Sequence, residues 1–321
     1  MSPSERISVV TSTYSKARLS ELQDLLRSIR MQGCDIETLC VVEGPPELAS
    51  EVRNMAKRAQ VKVEIIHSKD HMSAGSARNL GLRSSRGTIV AFVDDDADFG
   101  PAWAQELVSS YSDPRVVGVT GPIIPRYEKL EMNWFPKELQ WIVGCSGLVD
   151  SDVAKYVFAI NGTNASFRRE AIIGIGYPEH IGAEFDAKKK LGRSEWHQWG
   201  EEGYVSFQVL RKTGGRILYN PRVLVNHKVP NFKVSPAFII QRSYQVGGTR
   251  RMLRRLYHGQ TEIYQRSSRM ETQFLTVILL SLVLNLSRLP KSPSSSFKRL
   301  CATVLSLAFF SLGFLFTRTS D

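Results

Sequence analysis

Apolar and polar positions alternate along the first two-thirds of the chain in a repeating rhythm of short hydrophobic runs and amphipathic stretches. Ile7–Tyr14 reads as a first strand running into a polar loop, after which Leu19, Leu22, Leu25, Leu26 and Ile29 are spaced for one helix face. Ile36–Glu43 is a second strand, closed by a carboxylate and by Gly44-Pro45-Pro46, and a helix from about Glu47 to Gln60 precedes a strand over Val61–His67. The uncharged run Thr88–Val93 predicts a fully buried strand. A helix is expected from Trp103, with Asp98 and Pro101 as its start signals. This βα rhythm predicts an α/β class with a mostly parallel sheet flanked by helices.

The buried run at 88–93 stops at three consecutive carboxylates, Asp94, Asp95 and Asp96. Strand carboxyl ends of open α/β sheets open onto the ligand crevice, so acids there point into a site rather than a core. Three adjacent carboxylates repel one another unless a cation neutralises them. Alternation along an extended strand would put Asp94 and Asp96 on one face and Asp95 on the other, and oxygen ligands with room for water and phosphate suit Mg²⁺ or Mn²⁺. The competing reading of such a triplet is a solvated turn or a helix start. Small residues in Ser73–Leu82 would let backbone approach a ligand, and Arg78 offers a fork for phosphate or carboxylate.

Charge changes the picture of the C-terminal third. Residues 205–321 carry 18 Lys+Arg against 3 Asp+Glu, whereas residues 1–204 carry 24 against 28, so the formal +11 divides into about +15 and −4. That asymmetry points to a polyanionic partner, nucleic acid or an anionic membrane surface. Cys34, Cys40, Cys145 and Cys301 show no Cys-x-x-Cys spacing, which signals neither zinc nor a disulfide framework and fits a reducing cytosol. No charged-then-apolar leader opens the chain, so no secretory signal is expected.

The segment from Gly75 to Trp103, with GSARNLGL and FVDDDADFGPAW, resembles the family 2 glycosyltransferases of the GT-A fold. So do the opening SVVTSTYS and the later NGTNASFRREAI and GEEGYVSFQVLRKTGGRILYNP, and the likeness covers roughly residues 6–230. The resemblance implies a GT-A domain whose DxD-type acids, Asp94 and Asp96, hold a divalent metal on the diphosphate of a nucleotide sugar. It places Thr13, Glu43, Arg78, Asp94, Asp95 and Asn164 around the donor, Glu43 standing where an Asp that meets the base is commoner. Glu202, with Glu201 second, falls on the family's general base, against the competing reading of an acidic first turn favoured by the helix dipole. His227, following an expected strand at Arg222–Val225, becomes a candidate third metal ligand. Gln245 and Arg250 loosely match a motif that closes over the diphosphate. No role attaches to His67, His71, His180, His197 or His258.

Three further stretches carry expectations of their own. Gly121–Asp150, with Trp134, Phe135, Pro136 and Trp141, reads either as a mobile acceptor loop with aromatic platforms or as aromatics packing an irregular loop onto the sheet. In the stretch 242–257, Met252, Leu253, Leu256 and Tyr257 share a helical face away from the arginines, as in a helix lying at a membrane interface. Two apolar segments, Phe274–Leu286 and Leu300–Phe316, end the chain. At 13 and 17 residues each is short of the roughly 20 needed to span a bilayer unless flanks are borrowed. Positive residues on both sides of each segment conflict with a simple spanning hairpin, and packing on the soluble domain or in a homo-oligomer is the competing reading.

The domains expected are a catalytic domain over 1–232, basic interfacial helices over 233–270 and two apolar helices over 271–321. The function expected is an inverting, metal-dependent enzyme that moves a sugar from a nucleotide-diphosphate sugar to a polyprenyl-phosphate or polyprenyl-linked saccharide in glycan assembly. It would sit at the cell membrane with its catalytic domain on the cytoplasmic side. The alternative is a catalytically silent, membrane-tethered nucleotide-binding assembly protein. A nucleic-acid partner is not expected, because no aromatic-interleaved RNA motif accompanies the basic residues.

Overall fold

The computed structural model describes residues 5–147, 151–179, 200–257 and 261–317. His180, His197 and His258 lie outside the described residues. The chain divides into two compact units, one made of Met1–Ile124, Asp150–Ile181 and Glu201–Lys228, the other of Pro125–Val149, Gly182–Gly200 and Val229–Asp321.

The first unit alternates β1 (Ile7–Thr13), α1 (Leu19–Arg30), β2 (Ile36–Glu43), α2 (Pro46–Ala59), β3 (Val63–Ser68), α3 (Ala74–Ser84), β4 (Ile89–Phe92), β5 (Ala97–Phe99), α4 (Trp103–Ser110) and β6 (Val116–Thr120). The chain passes to the second unit within β7 (Ile123–Tyr127) and returns for β8 (Lys155–Val157), β9 (Ala165–Arg168), α5 (Arg169–Ile172), α6 (Glu201–Thr213), β10 (Arg216–Tyr219) and β11 (Val225–Val229). Eight strands form one sheet ordered β3-β2-β1-β4-β9-β6-β10-β8, and β5-β11-β7 form a second. The pairs β1 with β2, β1 with β4, β2 with β3 and β6 with β10 are parallel, while β9 runs antiparallel between β4 and β6.

Burial on both faces explains why these strands read as continuous apolar runs rather than alternating ones. Leu22, Leu25, Leu26, Val52, Trp103 and Leu107 pack one face with Val9 and Ala91, and Leu82, Ile172, Val205 and Val209 pack the other with Val10, Val90 and Phe92. Strand order reverses at β1, which lies between β2 and β4. The carboxyl ends of these three strands therefore open the crevice expected at such a switch point, and they bear Thr13, Glu43 and the acidic triplet.

The second unit holds two short 3-10 helices, Leu130–Trp134 and Lys137–Val143, followed by α7 (Pro236–Leu256), α8 (Thr261–Arg288) and α9 (Pro293–Phe316). The aromatic stretch is packed: Met132, Phe135, Leu139, Ile142 and Val143 are buried, Trp134 meets Phe135 edge-on and Trp141 meets Phe310. The described part of Gly121–Asp150 thus packs within itself and against α9.

Within 242–257, Leu253 and Tyr257 are buried, and α7 packs along α9. Small residues let the two backbones meet: Ser243 donates to or accepts from Ser306 at 3.1 Å, and Arg251 donates to the carbonyls of Phe314 and Leu315, capping the end of α9. Both apolar segments also extend further than their apolar cores. The α9 helix has 24 residues and is long and apolar enough, by length and composition, to cross a membrane, while Leu275–Arg288 of α8 is shorter.

Candidate active site

The buried strand β4 ends at Phe92, and Asp94, Asp95 and Asp96 follow in the turn that leads into β5. Convergence of Asp94 with Asp96 is therefore a property of this turn, not of the extended alternation expected. Asp98 lies within β5 and accepts from the Asn226 amide at 2.8 Å, so it does not cap α4, whose N-cap Ala102 offers no side-chain bond. The Asp94 backbone N–H donates to the Thr163 hydroxyl at 2.9 Å, which ties the turn to the loop before β9.

His227 sits inside β11 rather than after a strand, pairing with Ala97 of β5 across the small sheet. That register brings its ring to the acids. Single ligand atoms of Asp94, Asp96 and His227 lie within 4.8 Å of one another, with His227 Nε2 3.3 Å from Asp96 Oδ1. Two carboxylate oxygens and one imidazole nitrogen on this spacing fit a hard divalent cation that keeps water or phosphate oxygens in its remaining positions.

Two arginines face the triplet. Arg78, on α3, donates from Nη2 to Asp94 Oδ1 at 3.3 Å and from Nη1 to Glu201 Oε2 at 3.1 Å, with Glu202 Oε1 3.6 Å away. Its guanidinium lies 5.1 Å from the Tyr177 ring centroid. Burial opposes its charge, but Asp94, Glu201 and Glu202 outweigh that and hold it protonated. Arg18 donates from Nε to Asp95 Oδ1 at 2.8 Å, and its Nη2 lies 2.7 Å from both Asp95 Oδ1 and Asp96 Oδ2. Burial pushes the Asp95 carboxyl up to about 7, opposed by Arg18 and reinforced by Asp96, with the Thr13 hydroxyl helping the charged form.

Glu201 and Glu202 occupy the first turn of α6, as the sequence leads one to expect. Their surroundings differ. The Glu201 side chain is 4% exposed and that of Glu202 25% exposed. Burial pushes Glu201 up to about 7 against the pull of Arg78, and the charges of Glu202 and Asp94 push the same way as burial. Gly162 leaves the space that Glu202 fills, since a Cβ there would lie 2.7 Å from Glu202 Oε1.

The remaining expected residues divide. Glu43 closes β2 nearly sealed, its Oε2 accepting from the Met72 N–H at 2.8 Å and lying 2.6 Å from His71 Nδ1. Asn164 is buried, with its amide donating to the carbonyls of Val223 and Pro122 and its oxygen accepting from Trp103 Nε1. Those bonds tie the start of β9 to Trp103 and to the chain at Pro122 and Val223. Gly75 likewise serves chain packing, because a Cβ there would lie 2.4 Å from the Pro178 carbonyl oxygen. Gln245 and Arg250 are half-buried on α7 in the second unit. Arg18, Thr163, Tyr177 and His71 are contacts that sequence reasoning misses. Arg18 sits in a polar loop with no motif around it, and only the adjacency of β1 and β4 brings it to the triplet.

The profile described as Glycosyl transferase family 2 matches residues 8–176. The chain belongs to glycosyl transferase family 2. Among its relatives, the glucosyl-dolichyl phosphate glucuronosyltransferase of Haloferax volcanii is 27% identical over 316 residues, 97% of this chain and 96% of its own. The succinoglycan biosynthesis protein ExoM of Rhizobium meliloti is 24% identical over 255 residues, 79% and 77% of the two chains. The fold is shared with a solved mannosyltransferase, PcManGT of Pyrobaculum calidifontis in complex with GDP-Man and Mn²⁺, at a TM-score of 0.58 and 16% identity, covering 97% of this chain and 88% of that one. The α/β glycosyltransferase expected from the sequence is thereby the fold and the family found.

Proposed function

We propose that this chain is an inverting glycosyltransferase that takes its sugar from a nucleotide-diphosphate sugar and places it on a saccharide already carried by a polyprenyl phosphate. The observation that carries this reading is the convergence of Asp94, Asp96 and His227 within 4.8 Å, joined through Arg78 to the glutamate pair. Asp94, Asp96 and His227 would hold Mn²⁺ or Mg²⁺, which supplies charge stabilisation for the departing diphosphate. Arg78 stays protonated beside Asp94 and adds a second cation on the same side. Thr13 and Glu43, at the ends of β1 and β2, face the nucleoside part of the donor.

Glu202 takes the proton of the acceptor hydroxyl as it attacks the anomeric carbon from the side opposite the leaving diphosphate, which inverts the configuration. The more exposed member of the pair suits that role, because an acceptor must reach it. Glu201, nearly sealed, positions Arg78 instead. A base is needed only for a hydroxyl acceptor, and the full-length Haloferax volcanii relative is named for glucosyl-dolichyl phosphate.

Membrane attachment belongs to the same reading. Residues 1–232 carry the catalytic part, while 233–270 and 271–321 bring the chain to the lipid, with the catalytic part on the cytoplasmic side. Leu279, Leu280, Val283 and Leu284 of α8 and Leu315 and Phe316 of α9 are exposed apolar side chains suited to hydrocarbon. Arg288, Lys291 and Lys298 between or beside them suit anionic headgroups.

The test is transfer. Nucleotide sugars are offered with dolichyl-phosphate-linked glucose and with dolichyl phosphate alone in the presence of Mn²⁺, and products are weighed by mass spectrometry. A glycosylated saccharide-lipid lost in Asp96→Asn is expected. Full transfer by that variant removes the metal assignment, and transfer to dolichyl phosphate alone removes the hydroxyl acceptor.

A further inference from the structure

Three consecutive carboxylates in the β4–β5 turn are met by two guanidinium groups, Arg78 at Asp94 and Arg18 at Asp95 and Asp96. The Arg18 contact is built into the local fold. Ser15 caps the 3-10 turn Lys16–Arg18 by accepting from the Ala17 N–H, and the Arg18 N–H donates to the Ser15 carbonyl at 3.1 Å. From there the side chain reaches Asp95 through both Nε and Nη2, a two-point grip on a carboxylate that is 4% exposed. The same Nη2 bonds Asp96 Oδ2, while Asp96 Oδ1 faces His227 Nε2. The two oxygens of Asp96 are thus divided, one on a fixed cation and one in the ligand set.

A permanent positive charge next to a cation site has two effects of opposite sign. It orients Asp96, which favours capture, and it repels the incoming cation, which opposes capture. The repulsion acts where little water screens it, since the Asp95, Asp96 and Arg18 side chains are 4%, 12% and 30% exposed. A diphosphate carries enough negative charge to offset both the cation and the guanidinium, whose Nη1 makes none of the bonds named above. We infer that Arg18 is a positioning residue that makes cation capture by Asp94, Asp96 and His227 depend on the donor's diphosphate. Cation and nucleotide then bind as a coupled pair, each raising the affinity of the other by the same factor. This rests on the proposed metal assignment and adds to it the residue that sets the coupling.

The experiment measures Mn²⁺ binding to the full chain by electron paramagnetic resonance. Titrations are made without nucleotide and with uridine or guanosine diphosphate, corrected for Mn²⁺ complexed by the nucleotide in solution. Wild type is expected to bind Mn²⁺ at least about tenfold more tightly with a diphosphate than without. Arg18→Gln should bind Mn²⁺ alone about tenfold more tightly than wild type, and lose a similar factor of coupling, because a unit charge a few ångströms away has been removed. Arg18→Lys, which keeps the charge but not the fork, should stay near wild type without nucleotide.

Equal or weaker binding of Mn²⁺ alone by folded Arg18→Gln, with Asp96→Asn impaired, overturns the inference and leaves the metal assignment standing. Wild-type affinity indifferent to both diphosphates overturns it too, without recourse to any variant. Absence of Mn²⁺ binding to wild type under every condition, or Asp96→Asn binding as well as wild type, overturns the metal assignment and this inference with it.

Discussion

Arg78 Nη1 lies 3.1 Å from Glu201 Oε2, and the two side chains are nearly sealed from water, 13% and 4% exposed. A buried ion pair of this kind is weak evidence for stability but strong evidence for placement, because removing one partner strands the other's charge. Here the stranded group would be the arginine that also meets Asp94. Glu202, 3.6 Å from the same Nη1 and more exposed, holds Arg78 less closely.

The two glutamates should therefore fail differently. Glu202→Gln is expected to lower kcat by roughly 10²–10⁴ with little change in thermal stability, the loss typical of a missing general base. Glu201→Gln should raise the donor KM, since Arg78 loses a positioning partner, with little loss of Tm near neutral pH, because burial already pushes the Glu201 carboxyl up to about 7 and the amide mimics its protonated form. Steady-state kinetics and thermal unfolding of both variants separate the roles. Full transfer to a hydroxyl acceptor by Glu202→Gln refutes its assignment as base.

Gly162 offers a gentler probe of the same carboxylate. A Cβ there would lie 2.7 Å from Glu202 Oε1 and 3.4 Å from its carboxyl carbon, the far end of a flexible side chain. Gly162→Ala should then fold normally and push Glu202 aside, lowering kcat by about tenfold to a hundredfold, the scale of an ångström's misplacement. Unchanged kcat with unchanged Tm would show that Glu202 acts from some other position.

How much of this is legible in the sequence depends on the range of the contact. The strands β1, β2 and β4, with Thr13 and Glu43 at the ends of the first two and Asp94 just past the third, follow from local apolar runs ended by polar residues, and the glutamates at the start of α6 from the helical pattern that follows them. The placement of Arg18 on Asp95 and Asp96 does not, because 77 residues separate Arg18 from Asp95 and only strand order brings them together. Register explains His227 as well: an expected strand ending at Val225 leaves it in a loop, whereas the observed pairing with β5 puts it in the strand facing Asp96. Asn164 shows the reverse case, a residue in a family motif whose amide is consumed by the carbonyls of Val223 and Pro122. The packing of α7 on α9 is hidden because periodicity marks an apolar face without saying what covers it.

Acid stability should report on Glu37, remote from the acidic turn. Its carboxylate accepts from the Ser8 hydroxyl at 2.5 Å and the Arg86 N–H at 2.7 Å, with Arg86 Nη1 at 3.2 Å. Burial works to raise its pKa, but the Ser8 and Arg86 hydrogen bonds outweigh burial and hold it below the usual glutamate value of 4.5. A depressed pKa means that the unfolded chain takes up the proton first. The stabilisation is therefore fully present above about 4.5 and fades as pH falls through the lower folded value. Glu37→Gln should be less stable than wild type by about 1–2 kcal/mol at neutral pH, with the two unfolding curves converging as the solution is acidified. Parallel curves from pH 7 to 3 would show that the charge contributes nothing.

In the second unit, α7 and α9 should prove inseparable from their glycines. A Cβ on Gly313 would lie 2.0 Å from the Tyr244 carbonyl oxygen, and one on Gly247 would lie 2.1 Å from the Phe310 carbonyl oxygen. Both obstacles are backbone, so neither can swing away and the helices must part. Overpacking of this sort costs about 1–3 kcal/mol, and either substitution to Ala should expose the α7–α9 pair to proteolysis between Arg250 and Arg255 while leaving Mn²⁺ binding at the acidic turn intact. Limited tryptic digestion of detergent-solubilised protein reads the first effect and Mn²⁺ titration the second. Because Arg251 also caps the last carbonyls of α9, Arg251→Met should reproduce the protease sensitivity without any change in helix spacing at the glycines, and resistance of all three variants would mean that the helices are held by something other than their close approach.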